Sequence, residues 1–359
     1  MAKGNKKKTP AGKIILFAVE IVALVALLVV MWLVLKTTDE ETGVQKLNIN
    51  ESEIVIEMNE EVVENEVMKG YRNIALFGVD SRQQALASKT RTDTIMIASV
   101  NLENKEVKLV SVYRDTYLNQ CGENQAYGKC NAAYAYGGAE RAIKMLNSNL
   151  DLDITDFVTI GFEGLRDVVD ALGGVYIDVD EEEIKHLNNY QISMVEELDD
   201  VTSYEAVKET GYQKLNGLQA TAYCRIRYTA GNDFKRTERQ REVIKACLDV
   251  AKTMNPASLK KICENVFGEV YTSLDISEIL ELLGGVTEYS IVSEGGFPEA
   301  SMVTTGTIGS AGSCVVPLDL ESNVTWLHEF LFDEQGYVPS ANVSSFSQII
   351  QSDTSKYLE

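Results

Sequence analysis

The run NIALFGV at residues 73–79 breaks off at Asp80-Ser81-Arg82, and two runs of the same character follow, DTIMIASVN at 93–101 and EVKLVSVY at 106–113. Continuous apolar segments of this kind, closed by polar turn residues, read as strands buried on both faces. The turn-like LENK joins the second to the third. Further along, Ala132 to Leu150 reads as a helix with Gly137-Gly138 near its start, DFVTIGF as a strand, and FEGLRDVVDALGG as a helix closed by Gly173-Gly174. VYIDV is another strand, Asp233 to Met254 a long amphipathic helix with Asn232 or Asp233 near its amino cap, and helical stretches follow from Pro256 and over DISEILELLGGV. Strands alternating with helices predict a layered α/β fold, helices covering a central mixed sheet. Asp180 to Lys214 reads as a polar, irregular excursion, and LNGLQATAYCRIR as a return to the core with Arg225 and Arg227 on one extended stretch, pointing to one face. Beyond Gly295 the chain is rich in glycine, serine and threonine, and its last dozen residues read as a loose end.

Upstream of the first strand the organisation changes. Residues 1–13 carry Lys3, Lys6, Lys7, Lys8 and Lys13 and no acid, and residues 14–35 are apolar apart from Glu20. As a helix the second segment spans roughly 33 Å, enough to cross a bilayer. It exceeds the usual core of about 7–15 residues of a cleaved leader, and no small-x-small cleavage site follows. The expectation is a signal anchor with a cytoplasmic basic amino end, a single membrane crossing at 14–35, and everything else outside the cell. Residues 36–70 are acidic and read as a solvated stalk, residues 71–340 as the globular domain, and 341–359 as a tail.

Composition narrows the chemistry. A net charge of −21 over 359 residues argues against nonspecific binding to nucleic acid. Two histidines, His186 and His328, exclude a histidine-rich metal site and weigh against a serine or cysteine nucleophile paired with histidine; both are expected in solvent-facing structural roles. Among six cysteines there is no C-x-x-C pair. Cys121 and Cys130 flank the loop GENQAYGK and would close it as a disulfide if the domain lies outside the cell. Cys224, Cys247 and Cys263 read as small core residues.

Arginine placement is the most selective signal. The stretch YCRIRYTAGNDFKRTERQR, 223–241, holds five of the eleven arginines, and none follows it. Arg82, Arg91 and Arg114 lie upstream, each one or two residues from an aspartate. Arginine grips phosphate or carboxylate through two parallel hydrogen bonds, which lysine cannot do. An acidic chain that spends its arginines so narrowly is expected to build one anion site, and pyrophosphate is the working ligand. Structural arginine–carboxylate pairs are the alternative. Arg236 and Gln240 share a helix face, Arg239 lies close to it, and Arg241 is rotated away. Asp80 and Asp93 end one strand and begin the next; they suit either turn formation or a hard cation such as magnesium, which takes one or two carboxylates.

The segments NIALFGVDSR, RTDTIMIASVN, SVYRDTYL, KCNAAYAYGG, ALGGVYIDV and LNGLQATAYCRIRYTAGNDFKRTERQR resemble, in content and order, the motifs of the LytR-CpsA-Psr family of Gram-positive cell-wall proteins. The resemblance implies an α/β/α fold that binds a polyprenyl (pyro)phosphate and moves a glycopolymer from that carrier to a peptidoglycan hydroxyl. It implies Mg (or Mn) held by Asp80 and Asp93, and a phosphate clamp of Arg82, Arg91, Arg114, Arg225, Arg227, Arg236, Arg239 and Gln240. For the proton of the attacking hydroxyl, Asp233 is the expected acceptor and Asp115 the rival. A lipid tail would need an apolar slot, expected beneath helices such as 162–172 and 242–251. Hydrolysis of the lipid phosphates on the same site, and a non-catalytic scaffold or regulator, are the competing readings.

Overall fold

Apolar side chains leave both faces of the first three strands, so each face requires its own cover. A computed structural model describes residues 58–79, 86, 90–122, 124, 126–227 and 232–357. In chain order it contains helix α1 (Glu60–Val63), strands β1 (Tyr71–Val79), β2 (Thr92–Asn101) and β3 (Glu106–Val112), the small pair β4 (Tyr117–Asn119) and β5 (Tyr127–Lys129), helix α2 (Asn131–Leu150), β6 (Asp156–Ile160) and α3 (Phe162–Ala171). Then come β7 (Val175–Val179), α4 (Glu181–Glu197), β8 (Gly211–Leu215), α5 (Gly217–Arg225), α6 (Asn232–Lys252), α7 (Pro256–Val266), β9 (Val270–Thr272) and α8 (Ile276–Gly284). The last part holds β10 (Ser290–Phe297), the hairpin β11 (Val303–Ile308) and β12 (Gly312–Pro317), and helices α9 (Leu320–Phe332) and α10 (Ala341–Thr354).

The central sheet runs β10-β3-β2-β1-β6-β9. β2 is antiparallel to β1 and β3, β9 is antiparallel to β6, and the pairs β1–β6 and β3–β10 are parallel. The sheet is therefore mixed, as the alternation of elements predicts. Ala75, Phe77, Val79, Ile95 and Ile97 face a core shared with α2, α9 and α10. Leu76, Met96, Ala98 and Leu109 face the opposite side, where Ile244 of α6 packs. A further core joins α3, α4, α5 and α6 to the ribbon β7–β8. The expectation of helices on both faces of the sheet is met. Among the described residues no helix is long and apolar enough to cross a membrane; the anchor expected at 14–35 lies outside them.

Several expectations need correction. Residues 58–70 are not stalk: Met58, Val62 and Met68 are buried in the main core. Residues 341–359 are not a loose tail either, since α10 buries Val343 and Ile350 in the same core. Both ends meet at Asp151, a buried residue in left-handed conformation (φ 51°) that caps α2. Its carboxylate accepts hydrogen bonds from Asn59 Nδ2, from Ser340 N at 2.8 Å and from Ser340 Oγ at 2.7 Å. The stretch 180–214 contains α4, which starts in a capping box between Asp180 and Glu183. LNGLQATAYCRIR is helical through Arg225, again from a capping box, here Asn216 and Gln219. In both, the side chains satisfy orphan amides of the first turn.

All six cysteines are free thiols. Cys130, instead of bridging to Cys121, donates to the carbonyls of Tyr113 and Arg114 at 3.2 and 3.3 Å. His328 is fully buried, stacked on Tyr337 with ring centroids 3.5 Å apart, and its Nε2 lies 3.1 Å from the carbonyl of Leu150. Burial holds its pKa below the ordinary histidine value.

Adjacent isoleucines of α10 test the corrected carboxy terminus. Ile350 is 1% exposed and Ile349 39% exposed. Ile350→Ala is expected to lower unfolding free energy in urea by about 2–5 kcal/mol, and Ile349→Ala by about 0.5 kcal/mol or less. Equal small losses would restore the loose tail.

Candidate functional site

At the end of β1 and the start of β2 the ladder slips. Gly78 pairs with Thr94 and Val79 with Thr92, leaving Asp93 as an extra residue. A bulge of this kind re-aims a side chain at the rim of a sheet. Gly78 permits the close approach, because a Cβ there would stand 2.7 Å from Thr94 Oγ1.

Three arginines converge on Asp93. Arg114, just beyond β3, donates from Nη1 to Asp93 Oδ1. Arg227, just beyond α5, donates from Nη2 to Oδ2 at 2.9 Å. Arg236, early in α6, donates from Nη2 to the Asp93 carbonyl at 3.3 Å. Asp233, one turn before Arg236, places its carboxylate 3.3 Å from Arg236 Nη1 and 3.7 Å from Arg114 Nε. Burial acts to raise the Asp93 carboxyl, but Arg236, Arg114 and Arg227 outweigh it and hold its pKa below the usual range. Arg236 is 1% exposed. Burial, helped by Arg114 and Arg227 and opposed by Asp233 and Asp93, pushes its guanidinium down to about 10.

The cluster is under-satisfied. Arg236 Nε and Nη1, Arg114 Nε and Gln240 Oε1 are buried with no hydrogen-bond partner. Three cations face two carboxylates, since Asp115 is shared with Lys129 at 3.2 Å and lies 3.6 Å from Arg114 Nε. The three arginine nitrogens are buried donors without acceptors, costly on the order of 1–3 kcal/mol each, so an anion with several oxygens is the complement they lack; Gln240 Oε1 is an acceptor and needs a donor instead.

Asp93, Arg227, Arg236 and Gln240 also line a cavity of about 430 Å³ between the sheet and helices α3, α5 and α6. Its other walls are apolar, with Leu76 and Ile160 from the sheet, Phe162, Leu165 and Val168 from α3, and Val243 and Ile244 from α6. Polar groups at one place and apolar walls elsewhere suit an amphiphile with an anionic head. The cavity lies where the sequence placed an apolar slot.

The structure sorts the expected residues. Asp93, Arg114, Arg227, Arg236, Gln240 and Asp233 come together, with Asp115 beside Arg114. Arg225 lines the cavity too, but its guanidinium is paired with Glu197 at 2.9 Å and lies over the rings of Phe162 and Tyr190 at 4.3 and 5.4 Å. Because α5 ends at Arg225, it and Arg227 do not share an extended strand. Arg239 is not with the cluster. It is buried against Glu183 at 2.7 Å and donates to the Ile226 carbonyl at 3.3 Å. The i, i+3 spacing from Arg236 rotates it far enough round α6 to meet α4 instead. Arg91 is exposed and does not line the cavity. Asp80 and Arg82 lie outside the described residues. Lys129 and Glu183 are the partners sequence reasoning missed; Glu183 was signalled by the D-x-x-E capping pattern, and Lys129 by its place in KCNAAYAYGG.

A metal at this site would draw on Asp93, which is ionised and at the cavity, and on Asp80. Val79 pairs with Thr92, so the residues immediately preceding the two aspartates are register partners. Both Asp93 carboxylate oxygens are engaged by arginines, Oδ1 by Arg114 and Oδ2 by Arg227, and Asp80 lies outside the described residues. Among the described residues no group of three or more His, Cys, Asp or Glu side chains is arranged to hold a metal.

A sequence model of the LytR_cpsA_psr family matches residues 32–306. The chain belongs to this family. It is 31% identical over 212 residues to the polyisoprenyl-teichoic acid–peptidoglycan teichoic acid transferase TagU of Enterococcus faecalis, a stretch covering 58% of this chain and 64% of that one. It is 34% identical over 240 residues to biofilm regulatory protein A of Streptococcus mutans, covering 62% of this chain and 57% of that one. The chain thus spans less than two thirds of the length of these curated relatives. Among solved structures, protein gbs0355 from Streptococcus agalactiae matches with TM-score 0.62 at 26% identity, over 78% of this chain and 94% of that one. TagT bound to LI-WTA matches with TM-score 0.59 at 24% identity, over 78% and 97%. The LytR-CPS2A-psr family protein YwtF (TagT) with bound octaprenyl pyrophosphate lipid matches with TM-score 0.55 at 22% identity, over 77% and 96%. These last two likenesses establish the fold.

Stability separates structural arginines from the cluster. Arg239→Ala leaves Glu183 buried without its partner and is expected to cost about 3–5 kcal/mol in urea unfolding, whereas Arg227→Ala, at the partly exposed rim, changes stability by about 1 kcal/mol or less. The Asp93 carboxyl has a folded pKa below its unfolded value of about 3.9, so its contribution is complete above that pH and is lost as pH falls through the folded value. The stability gap between the parent and Asp93→Asn is therefore expected at pH 7 and should close on acidification below about 4. A gap that widens in acid would contradict the ion cluster.

Proposed function

We propose that the chain is a membrane-anchored phosphotransferase that moves a glycopolymer from a polyprenyl pyrophosphate carrier to a peptidoglycan hydroxyl, with its domain outside the cell. The observation that carries the reading is the set of buried nitrogens without a hydrogen bond, Nε and Nη1 of Arg236, which lines an apolar cavity, and Nε of Arg114, in the same cluster. Family membership and relatives named as teichoic acid transferases support it. The basic amino end and the apolar run at 14–35 support the anchor.

In this reading Arg114, Arg227 and Arg236 hold the diphosphate, and Gln240 adds a side-chain amide at the same end of the cavity. The apolar walls shelter the start of the prenyl chain and exclude water. The acceptor hydroxyl oxygen forms a bond to the phosphorus bearing the glycan, the bond from that phosphorus to the bridging oxygen breaks, and the lipid phosphate leaves with those electrons. The hydroxyl proton passes to Asp233. Asp115, tied to Lys129 and Arg114, positions Arg114. Charge neutralisation and alignment are the main demands of phosphoryl transfer, so no protein nucleophile is required. Magnesium, if bound by Asp93 with Asp80, supplies further charge neutralisation on phosphate oxygens.

The test is transfer of a lipid-linked polymer to peptidoglycan by the full chain, with lipid binding measured separately. Arg236→Ala is expected to weaken polyprenyl pyrophosphate binding and to reduce transfer by about 10²-fold or more. Asp233→Asn should retain binding and lose about 10²–10⁴-fold in rate. Unaltered transfer in both variants would remove the proposal; polymer released to water despite added acceptor would reassign the site to hydrolysis.

A further inference from the structure

α6 has two working faces. Val243, Ile244 and Cys247 look into the cavity beside the arginines, while Lys245 and Asp249 look the opposite way, into a second groove of about 540 Å³. The far wall of that groove is the antiparallel ribbon β7–β8. Because strand side chains alternate, Tyr176, Asp178, Tyr212 and Lys214 share its outer face, and all four are exposed. Tyr176 and Tyr212 are 48% and 76% exposed, with ring centroids 5.5 Å apart and planes 24° from parallel. Among the described residues Asp178, Lys214, Lys245 and Asp249 have neither a salt-bridge nor a hydrogen-bond partner, although all four line the groove.

The chemistry of these six groups points to one class of ligand. With Glu242, which accepts from the Tyr223 hydroxyl, the groove is lined by three carboxylates and two ammonium groups, so it does not select for a polyanion, and it lacks the arginine forks that grip phosphate. Exposed aromatic faces favour flat, weakly polar surfaces. Carboxylates accept from hydroxyls and ammonium groups donate to them. A pyranose unit offers both: C–H faces for the rings and hydroxyls at the edge for the charges. The part of α6 along the groove, from Glu242 to Thr253, extends roughly 16 Å at the standard helical rise, which accommodates several linked sugars rather than one.

We propose that this groove binds a neutral chain of linked pyranose units. It retains the acceptor polymer on the side of α6 away from the reacting phosphates. The assignment deepens the proposed function and rests on it only for the identity of the polymer.

The probe is the β-1,4-linked hexamer of N-acetylglucosamine, titrated into the full chain in detergent, with polyprenyl pyrophosphate binding measured on the same samples. Saturable hexamer binding is expected in the parent. Tyr176→Ala/Tyr212→Ala should weaken it by at least about tenfold, the scale of two aromatic contacts, and leave lipid binding and the urea midpoint unchanged. In the transfer assay the same variant should raise the acceptor KM while leaving kcat in place. No hexamer binding by the parent, equal binding by the variant, stronger binding of an anionic wall polymer at the groove, or loss only of self-association in the ultracentrifuge would each overturn the assignment. If the parent binds the hexamer but not the lipid, the phosphotransfer reading falls and the sugar groove stands.

Discussion

One bulged aspartate beneath three guanidinium groups is the constraint that the rest of the site answers to. Asp93 fixes Arg114, Arg227 and Arg236 from three different parts of the chain, so the cluster is held together by the protein's own groups. Its own charge is too small to satisfy them: Arg114 Nε and Arg236 Nε and Nη1 stay without a hydrogen bond, although Asp233 lies 3.3 Å from Arg236 Nη1. Burying Arg236 under these conditions is expensive enough to depress its basicity. The structure carries that penalty in a preorganised form, which a multiply charged headgroup can relieve without the protein having to rearrange.

Placement of the cavity follows from the same strand ends. β1 and β6 run parallel, so their carboxyl ends come out together, and the cavity is lined by Gly78 and Val79 from one and Ile160 from the other. Open α/β sheets offer ligands a crevice at this position. Helix α6 then serves several purposes at once. Its first turn supplies Asp233 and Arg236, one face supplies cavity wall, and Arg239 ties it through Glu183 to α4. The buried Arg239–Glu183 pair shows that an arginine-rich motif can mix cavity-lining and framework residues within one helical turn.

Much of this was legible beforehand because the signals were local. The strands at 73–79, 93–101 and 106–113 are nearly pure apolar runs, and their pairing into a sheet covered on both faces follows from that alone. Arg114, Arg227 and Arg236 were grouped from motif content, together with Arg225 and Arg239, which bond elsewhere, and Asp93 was expected to hold a metal with Asp80 rather than to pair with the arginines. What escaped were features set by tertiary partners. Nothing in the spacing of Arg236 and Arg239 tells which of them finds a carboxylate, because Glu183 is far away in sequence. The acidic stretch around Glu60 hides its core contacts in widely spaced Met58, Val62 and Met68, and polar-looking α10 buries only a few side chains. Helix α4 was missed for a different reason: its apolar positions are sparse, and the decisive clue was the Asp180–Glu183 box at its start.

The Asp151 junction has an implication for biogenesis. It ties Asn59, at the beginning of the domain, to Ser340, near its end, and β10 completes the sheet beside β3 only after most of the chain has been made. A nascent chain therefore lacks its closing contacts until Ser340 and α10 have been made, and the free edge of β3 stays open to mispairing until β10 arrives. The domain must be shielded or kept unfolded until α9 and α10 have been made.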